Sequence, residues 1–188
     1  ARALVDRALE QGLDQIVIGN RVAQTDRHGG DLAVKHRRRD QPGTGIVEDF
    51  QILARGATPV AVKETNATAD VDAILAAVTE KTKLVFLANP DNPMGSWWDA
   101  AAVQSMIDAL PTGCILCLDE AYSEFTPPGT LPPIDVANPQ VLRFRTFSKA
   151  YGLAGCRVGY AIGEAGLIKS FDRLRNHFGV NRIAQAGA

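Results

Sequence analysis

Residues 84–122 read LVFLANPDNPMGSWWDAAAVQSMIDALPTGCILCLDEAY, and their pattern decides the fold. Leu84-Val85-Phe86-Leu87 is a short apolar run that passes straight into a Pro/Gly turn, as a buried strand does. Residues 99–110 follow as a helix, and Cys114-Ile115-Leu116-Cys117-Leu118 is a second apolar run ending in Asp119-Glu120. The alternation continues outward in both directions. Upstream, Ile16-Val17-Ile18 and Pro59-Val60-Ala61-Val62 read as strands, and residues 2–12 and 49–55 as helices. Val71, Ile74, Leu75 and Val78 share one face of a helix over 71–78 that Asp70 caps. Downstream, residues 141–145 and 157–162 read as strands and 164–175 as a helix, after a loop from Thr126 to Pro133 that holds four prolines. Short apolar strands alternating with amphipathic helices predict an α/β fold with a mainly parallel central sheet flanked by helices. In such sheets the chemistry collects in loops beyond the carboxyl ends of the strands. A site is therefore expected after Leu87, Leu118 and Arg145.

The 188 residues carry 20 Lys+Arg against 21 Asp+Glu, a net charge of −1 that lacks the basic excess of a nucleic-acid binder. No apolar run approaches the roughly 20 residues of a membrane helix. With 46% hydrophobic and 22% charged residues the composition is that of a globular chain, not of a collagen, a coiled coil or a disordered segment. The first residues lack the basic stretch and apolar run of a signal peptide. Ala1 opens within a helical pattern and is not Met, so the chain reads as a piece of a longer protein.

Three cysteines, Cys114, Cys117 and Cys156, suit a reducing, cytoplasmic compartment. Cys114 and Cys117 have C-x-x-C spacing, but on a strand an offset of three puts them on opposite faces. They are expected to be plain buried side chains, and no metal site is expected. His28, His36 and His177 show no ligand spacing. Trp97 and Trp98, adjacent at a helix entry, are expected to point apart and pack.

Three clusters carry chemistry. Asn89-Pro90-Asp91-Asn92-Pro93-Met94-Gly95 forms a rigid turn at a strand's end. Asp119-Glu120-Ala121-Tyr122 ends a buried strand with a carboxylate, which is costly there without a cationic partner, so a structural ion pair is one reading of this strand end. Tyr122 adds a phenol able to donate to a ligand oxygen. Arg145-Thr146-Phe147-Ser148-Lys149-Ala150-Tyr151-Gly152, continuing to Arg157, sets hydroxyls, a lysine and an arginine around a glycine-spaced turn suited to an anionic ligand. Lys149 is either a phosphate clamp or an amine nucleophile. Together these groups match the needs of pyridoxal phosphate: an amine, a carboxylate for the pyridine nitrogen, a phenol and an amide for the 3-oxygen, and hydroxyls with an arginine for the phosphate.

In these segments, and in Arg175-Asn176-His177-Phe178-Gly179-Val180-Asn181-Arg182, the chain resembles fold-type I pyridoxal-phosphate aminotransferases. Within that family it is most similar to the histidinol-phosphate aminotransferases and their aromatic relatives. The resemblance covers residues 46–188 well and 1–20 plausibly. It implies that Lys149 is catalytic, carrying pyridoxal 5'-phosphate as a Schiff base and moving the proton. Asp119 would pair with the pyridinium, and Tyr122 and Asn92 would contact the 3-oxygen. Ser148 and Arg157 would bind the phosphate, with Thr146 a helper. The implied reaction passes an amino group between histidinol phosphate, or an aromatic amino acid, and 2-oxoglutarate, in a homodimer that uses neither nucleic acid nor membrane.

The sequence also departs from the family. Met94 stands where a threonine is usual, in the turn and away from the ring. Residues 21–45 hold six basic and three acidic residues, no aromatic and no helical pattern, where the family has Gly-Ser and a phosphate-binding helix. Reading codons for Arg21 onward one base later permits Gly-Ser-Pro-Lys-Leu-Ile, so the segment reads as a frameshift, or else as a real insert. The smaller C-terminal domain, with its substrate-binding arginine, is expected to be absent. Residues 1–188 thus read as a partial large domain of low stability, prone to aggregate. Two rival readings remain: an inactive remnant, or a decarboxylase or lyase on the same scaffold.

Overall fold

A computed structural model describes residues 15–18, 57–172 and 179–187. The expected helices at 2–12 and 49–55, the segment 21–45, and His28, His36 and His177 lie outside the described residues.

Six strands form one sheet: β1 (Gln15–Ile18), β2 (Thr58–Ala61), β3 (Thr82–Ala88), β4 (Ile115–Asp119), β5 (Val141–Thr146) and β6 (Gly159–Gly163). Their spatial order is β2-β1-β3-β4-β5-β6. All neighbours run parallel except β5 and β6, whose register pairs Arg145 with Tyr160 and Thr146 with Gly159 in antiparallel fashion. The sheet is mainly parallel, as the apolar runs predict. The twelve residues 147–158 between β5 and β6 hold one short 3-10 turn, Ala154–Cys156, and no crossover helix, and β6 returns antiparallel to β5.

Two connections cross over through helices. α1 (Val71–Ala77) joins β2 to β3, and α2 (Ala100–Ala109) joins β3 to β4. Each begins on an aspartate. Asp70 accepts from Ala73 N at 2.9 Å and Asp99 from Ala102 N at 2.8 Å, satisfying donors the first turn leaves open. α1 buries Val71 and Ile74, and α2 buries Val103, Met106 and Ile107. Two further helices, α3 (Ala165–Asp172) and α4 (Arg182–Gly187), follow β6.

The alternation of β3 and β4 divides the core between the two sheet faces. Val85, Leu87, Cys114, Leu116 and Leu118 pack with α1 and α2 on one side. Leu84, Cys117 and Leu142 pack on the other with Phe86, Phe144 and, from α3, Ile168 and Phe171. Full burial of each aliphatic side chain contributes about 1.5–3 kcal/mol. Cys114 and Cys117 take opposite faces and are buried free thiols, as their spacing on a strand predicts. Trp98 packs against the first cluster and donates Nε1 to Ala69 O at 2.9 Å, while Trp97 is exposed, so the pair points apart.

Candidate active site

The carboxyl ends of β3, β4 and β5 lie side by side, because Ala88 pairs with Asp119 and Asp119 with Phe144. The loops carrying the three clusters therefore converge on one edge.

The turn after β3 is built on Asn89, which is fully buried. Its side chain donates to Trp98 O at 3.0 Å and accepts from Trp98 N at 2.8 Å, while its own N–H reaches Asp119 O at 2.9 Å. Asn89–Pro90 and Asn92–Pro93 are cis. The turn closes with Gly95 N donating to Asp91 O at 3.1 Å, and Gly95 takes φ +69°, a value that favours glycine. Met94 is exposed in this turn.

The turn projects Asn92 toward the loop after β4. Asn92 Nδ2 donates to the Tyr122 hydroxyl at 3.1 Å, and Lys149 Nζ sits 5.2 Å from the centroid of the Tyr122 ring. Asp119 Oδ1 accepts from Ala121 N at 2.9 Å. Protein packed around this carboxylate raises it above the usual aspartate range even though one side meets solvent. The Ala121 N–H and the Lys149 charge pull it down, and Glu120 adds to the rise. Asn92, Asp119, Tyr122 and Lys149 are thus brought together.

The loop after β5 folds back on itself. Leu153 N donates to Phe147 O at 2.9 Å, Phe147 N to Val158 O at 3.3 Å and Gly152 N to Lys149 O at 3.0 Å. Phe147 is packed between Tyr151 and Tyr160, with centroids 5.2 and 5.5 Å away. Thr146 Oγ1 accepts from Ser148 N at 3.1 Å, fixing the turn that presents Ser148 and Lys149. Arg157 sits next to Val158 with φ +54°, a left-handed conformation found at functional sites. Its Nη1 donates to Ala154 O at 3.0 Å. Among the described residues no hydrogen bond joins Arg157, at the far end of the same loop, to Ser148 or Lys149.

The ion pair expected at this strand end forms at Glu120. Glu120 is fully buried. Its Oε1 accepts from Arg143 Nε at 2.8 Å and also from Arg143 Nη2, and its Oε2 accepts from Arg145 Nε at 2.9 Å. Sequence reading named this strand end and its need of a cationic partner, but not Arg143 as that partner. The available signal was the spacing of Arg143 and Arg145, which puts both on one strand face beside an acidic strand end.

The family Aminotransferase class I and II matches residues 48–188. The chain is 47% identical over 137 residues to a histidinol-phosphate aminotransferase of Ruegeria sp. (strain TM1040), covering 72% of this chain and 38% of that one. It is 44% identical over 140 residues to an aromatic amino acid aminotransferase of Mycobacterium avium (strain 104), covering 73% and 39%. The structure is similar to that of the histidinol-phosphate aminotransferase from Sinorhizobium meliloti in complex with pyridoxal-5'-phosphate. The TM-score is 0.77 at 38% identity, over 98% of this chain and 45% of that chain. The chain spans about 40% of the length of the curated relatives it matches. Its fold is part of the large domain of the pyridoxal-phosphate-dependent transferases, and the chain belongs to the class I and II aminotransferases.

Proposed function

We propose that the protein to which this chain belongs transfers an amino group between an amino donor and a 2-oxo acid, using pyridoxal phosphate held at Lys149. The observation that carries this reading is the convergence of Lys149, Tyr122 and Asn92, with the lysine amine 5.2 Å from a ring whose hydroxyl accepts the amide at 3.1 Å. The donor set fits the cofactor: one amine, one carboxylate at a strand end, one paired phenol and amide, and a turn of hydroxyls beside an arginine. Bound there, pyridoxal phosphate supplies the electron sink that moving an amino group needs.

The chain's own residues would do the rest. Lys149 Nζ would hold the cofactor through its aldehyde carbon and, once the donor's own amine had displaced it there, the freed amine would serve as the general base and acid. Asp119 keeps a proton on the ring nitrogen, and Tyr122 and Asn92 orient the 3-oxygen. Ser148, Thr146 and Arg157 hold the phosphate, with the guanidinium free to use nitrogens other than the one bound to Ala154 O. Histidinol phosphate or an aromatic amino acid is the proposed donor, as in the relatives' names, and 2-oxoglutarate the acceptor. A homodimer in the cytoplasm is the proposed setting. Three free thiols are in keeping with a reducing compartment, and among the described residues no helix is long and apolar enough to cross a membrane. Residues 1–188 are proposed to form part of the large domain, with 21–45 frameshifted or inserted and the small domain lying outside the chain.

The test is to add pyridoxal phosphate to the chain, reduce with borohydride and map the adduct. A visible band and a pyridoxyl group on Lys149, both lost in Lys149→Ala, are expected. Glutamate formed from 2-oxoglutarate plus histidinol phosphate or an aromatic amino acid would then identify the donor. No adduct on Lys149 would favour an inactive remnant, and donor-derived carbon dioxide without glutamate would favour a decarboxylase.

A further inference from the structure

The buried carboxylate of Glu120 lies on the sheet face opposite Asp119. Asp119 and Glu120 are consecutive at a strand end and leave on opposite sides of the sheet. Asp119 pairs with Phe144, whose ring belongs to the α3 side. Glu120 joins the other side, where Leu118 and Val141 pack. There it meets Arg143 and Arg145 with both carboxylate oxygens. Arg143 Nη1 also donates to Pro132 O at 2.9 Å and Pro133 O at 3.2 Å, which ties the proline loop to the back of the sheet.

We propose that Glu120 is a positioning residue for the site: by bridging Arg143 and Arg145 behind the sheet, it fixes the end of β4 to the end of β5 and so sets Asp119 and Tyr122 against Ser148 and Lys149. The placement along the chain supports this. Glu120 lies between Asp119 and Tyr122, and Arg145 directly precedes Thr146. The β4–β5 register ends at Asp119–Phe144, and Glu120 N donates to Phe144 O at 2.9 Å as the last main-chain tie between the strands. Beyond that bond, among the described residues, the Glu120 side chain ties the roots of the two loops through Arg143 and Arg145. Ser123 N donates to Glu120 O at 3.0 Å, so the turn carrying Tyr122 hangs on the same residue. Burying such a cluster gives little net stability compared with apolar packing of equal volume. Its location at the root of both loops accounts for it better than stability does.

The inference rests on the proposed cofactor reading for its affinity arm, and a second arm is independent of it. In the first, pyridoxal phosphate is titrated into wild type, Glu120→Gln and the milder Arg145→Lys. Titrations run at a temperature where circular dichroism shows all three folded. About tenfold weaker binding is expected for Glu120→Gln, the scale seen when a residue that holds a metal ligand in place is removed. A smaller loss is expected for Arg145→Lys, as is a displaced pH midpoint of the visible band in Glu120→Gln. In the second arm, amide hydrogen exchange is read on the cofactor-free chain. Exchange should rise together at Ala121, Ser123, Ser148 and Leu153 in Glu120→Gln, while Val103 in α2 stays protected.

Failure of the cofactor reading shows separately, as no Lys149-linked band in wild type. The exchange arm then decides alone. Unchanged exchange at those four amides, or a rise shared evenly with α2, would overturn the inference, as would wild-type cofactor affinity in both variants. If Glu120→Gln does not fold, Arg145→Lys decides by the same two readings.

Discussion

Asn92 and Tyr122, thirty positions apart, meet in a hydrogen bond of 3.1 Å, with the amide donating to the phenol. The contact depends on a buried Asn89 that anchors the turn before Asn92 to Trp98. One hydroxyl thus receives a fixed amide while Lys149 lies over its ring. Tyr122→Phe keeps the ring beneath the lysine and removes the shared oxygen. A single hydrogen bond is worth about 0.5–1.5 kcal/mol net, so pyridoxal phosphate should bind roughly threefold to tenfold more weakly. Absorbance titration checks this, and unaltered affinity would remove Tyr122 from the 3-oxygen's partners.

Asp119 carries the opposite balance in the cofactor-free chain. Burial raises its carboxyl, with Glu120 adding to the rise, so the folded state holds the proton more tightly than the unfolded state. The associated stability is present below the unfolded aspartate range, near about 4, and is lost as pH rises through the raised folded value. Asp119→Asn should therefore melt at a higher temperature than wild type near pH 7.5, with the gap closing below about pH 4. The same substitution should weaken pyridoxal phosphate binding, because the ring nitrogen loses its anionic partner. Melting curves across pH, paired with the titration, check both halves.

The parts of this chain legible in the sequence are those fixed by local pattern. A parallel strand is buried on both faces, so Leu84–Leu87 and Cys114–Leu118 stand out as apolar runs, and Asp70 and Asp99 punctuate helices by a side-chain contact three residues away. The clusters around Asn92, Asp119 and Lys149 were legible because each follows directly on such a run. What stayed hidden depends on contacts between segments. Arg143 reads as an outward charge in a strand, and only the pairing of β4 with β5 sets it against Glu120. The direction of β6 is likewise absent from its own residues, since an apolar run looks the same in either orientation.

Glu64 and Asp91 form a second acidic pair, at the turn that carries Asn92. Glu64 Oε1 and Asp91 Oδ2 are both buried without a hydrogen-bond partner among the described residues. Burial raises the Glu64 carboxyl and the Asp91 charge raises it further. Stability tied to Glu64 is therefore present below the unfolded glutamate range, about 4.3, and falls as pH climbs through its raised folded value. Asp91→Asn removes the repulsion, so the melting temperature should increase near pH 8, by less than about 2 °C because solvent screens the pair. The gain should vanish in acid. A loss at pH 8 would mean that the Asp91 charge has an attractive partner.

Gly159 controls how closely β6 approaches β5 at the root of the lysine loop. A Cβ there would lie 2.7 Å from Arg145 O and 3.4 Å from the Thr146 Cα, both backbone atoms. Gly159→Ala should cost about 1–3 kcal/mol through overpacking and also weaken pyridoxal phosphate binding, because Thr146 must shift. Gly129→Ala is the control. Its φ of +87° makes alanine strained, but the space around it is open, so stability should drop with cofactor affinity retained. Equal cofactor losses in the two variants would refute the local effect.

The three thiols report whether the sheet is packed on both faces at once. Cys114 and Cys117 lie on opposite faces, each about 1% exposed, whereas Cys156 is partly exposed in the lysine loop. Burial pushes the Cys114 thiol up to about 11 and the Cys117 thiol up to about 12. Only thiolates attack a disulfide reagent, so neither buried cysteine supplies a nucleophile near pH 8 in the folded chain. A thiol-reactive chromophore should therefore label Cys156 alone in native buffer and all three cysteines in denaturant. Rapid native labelling at Cys117 alone would mean that α3 does not cover its face, and labelling at Cys114 alone would place the fault on the side of α1 and α2. Labelling at both would mean that the chain does not hold its two-sided core.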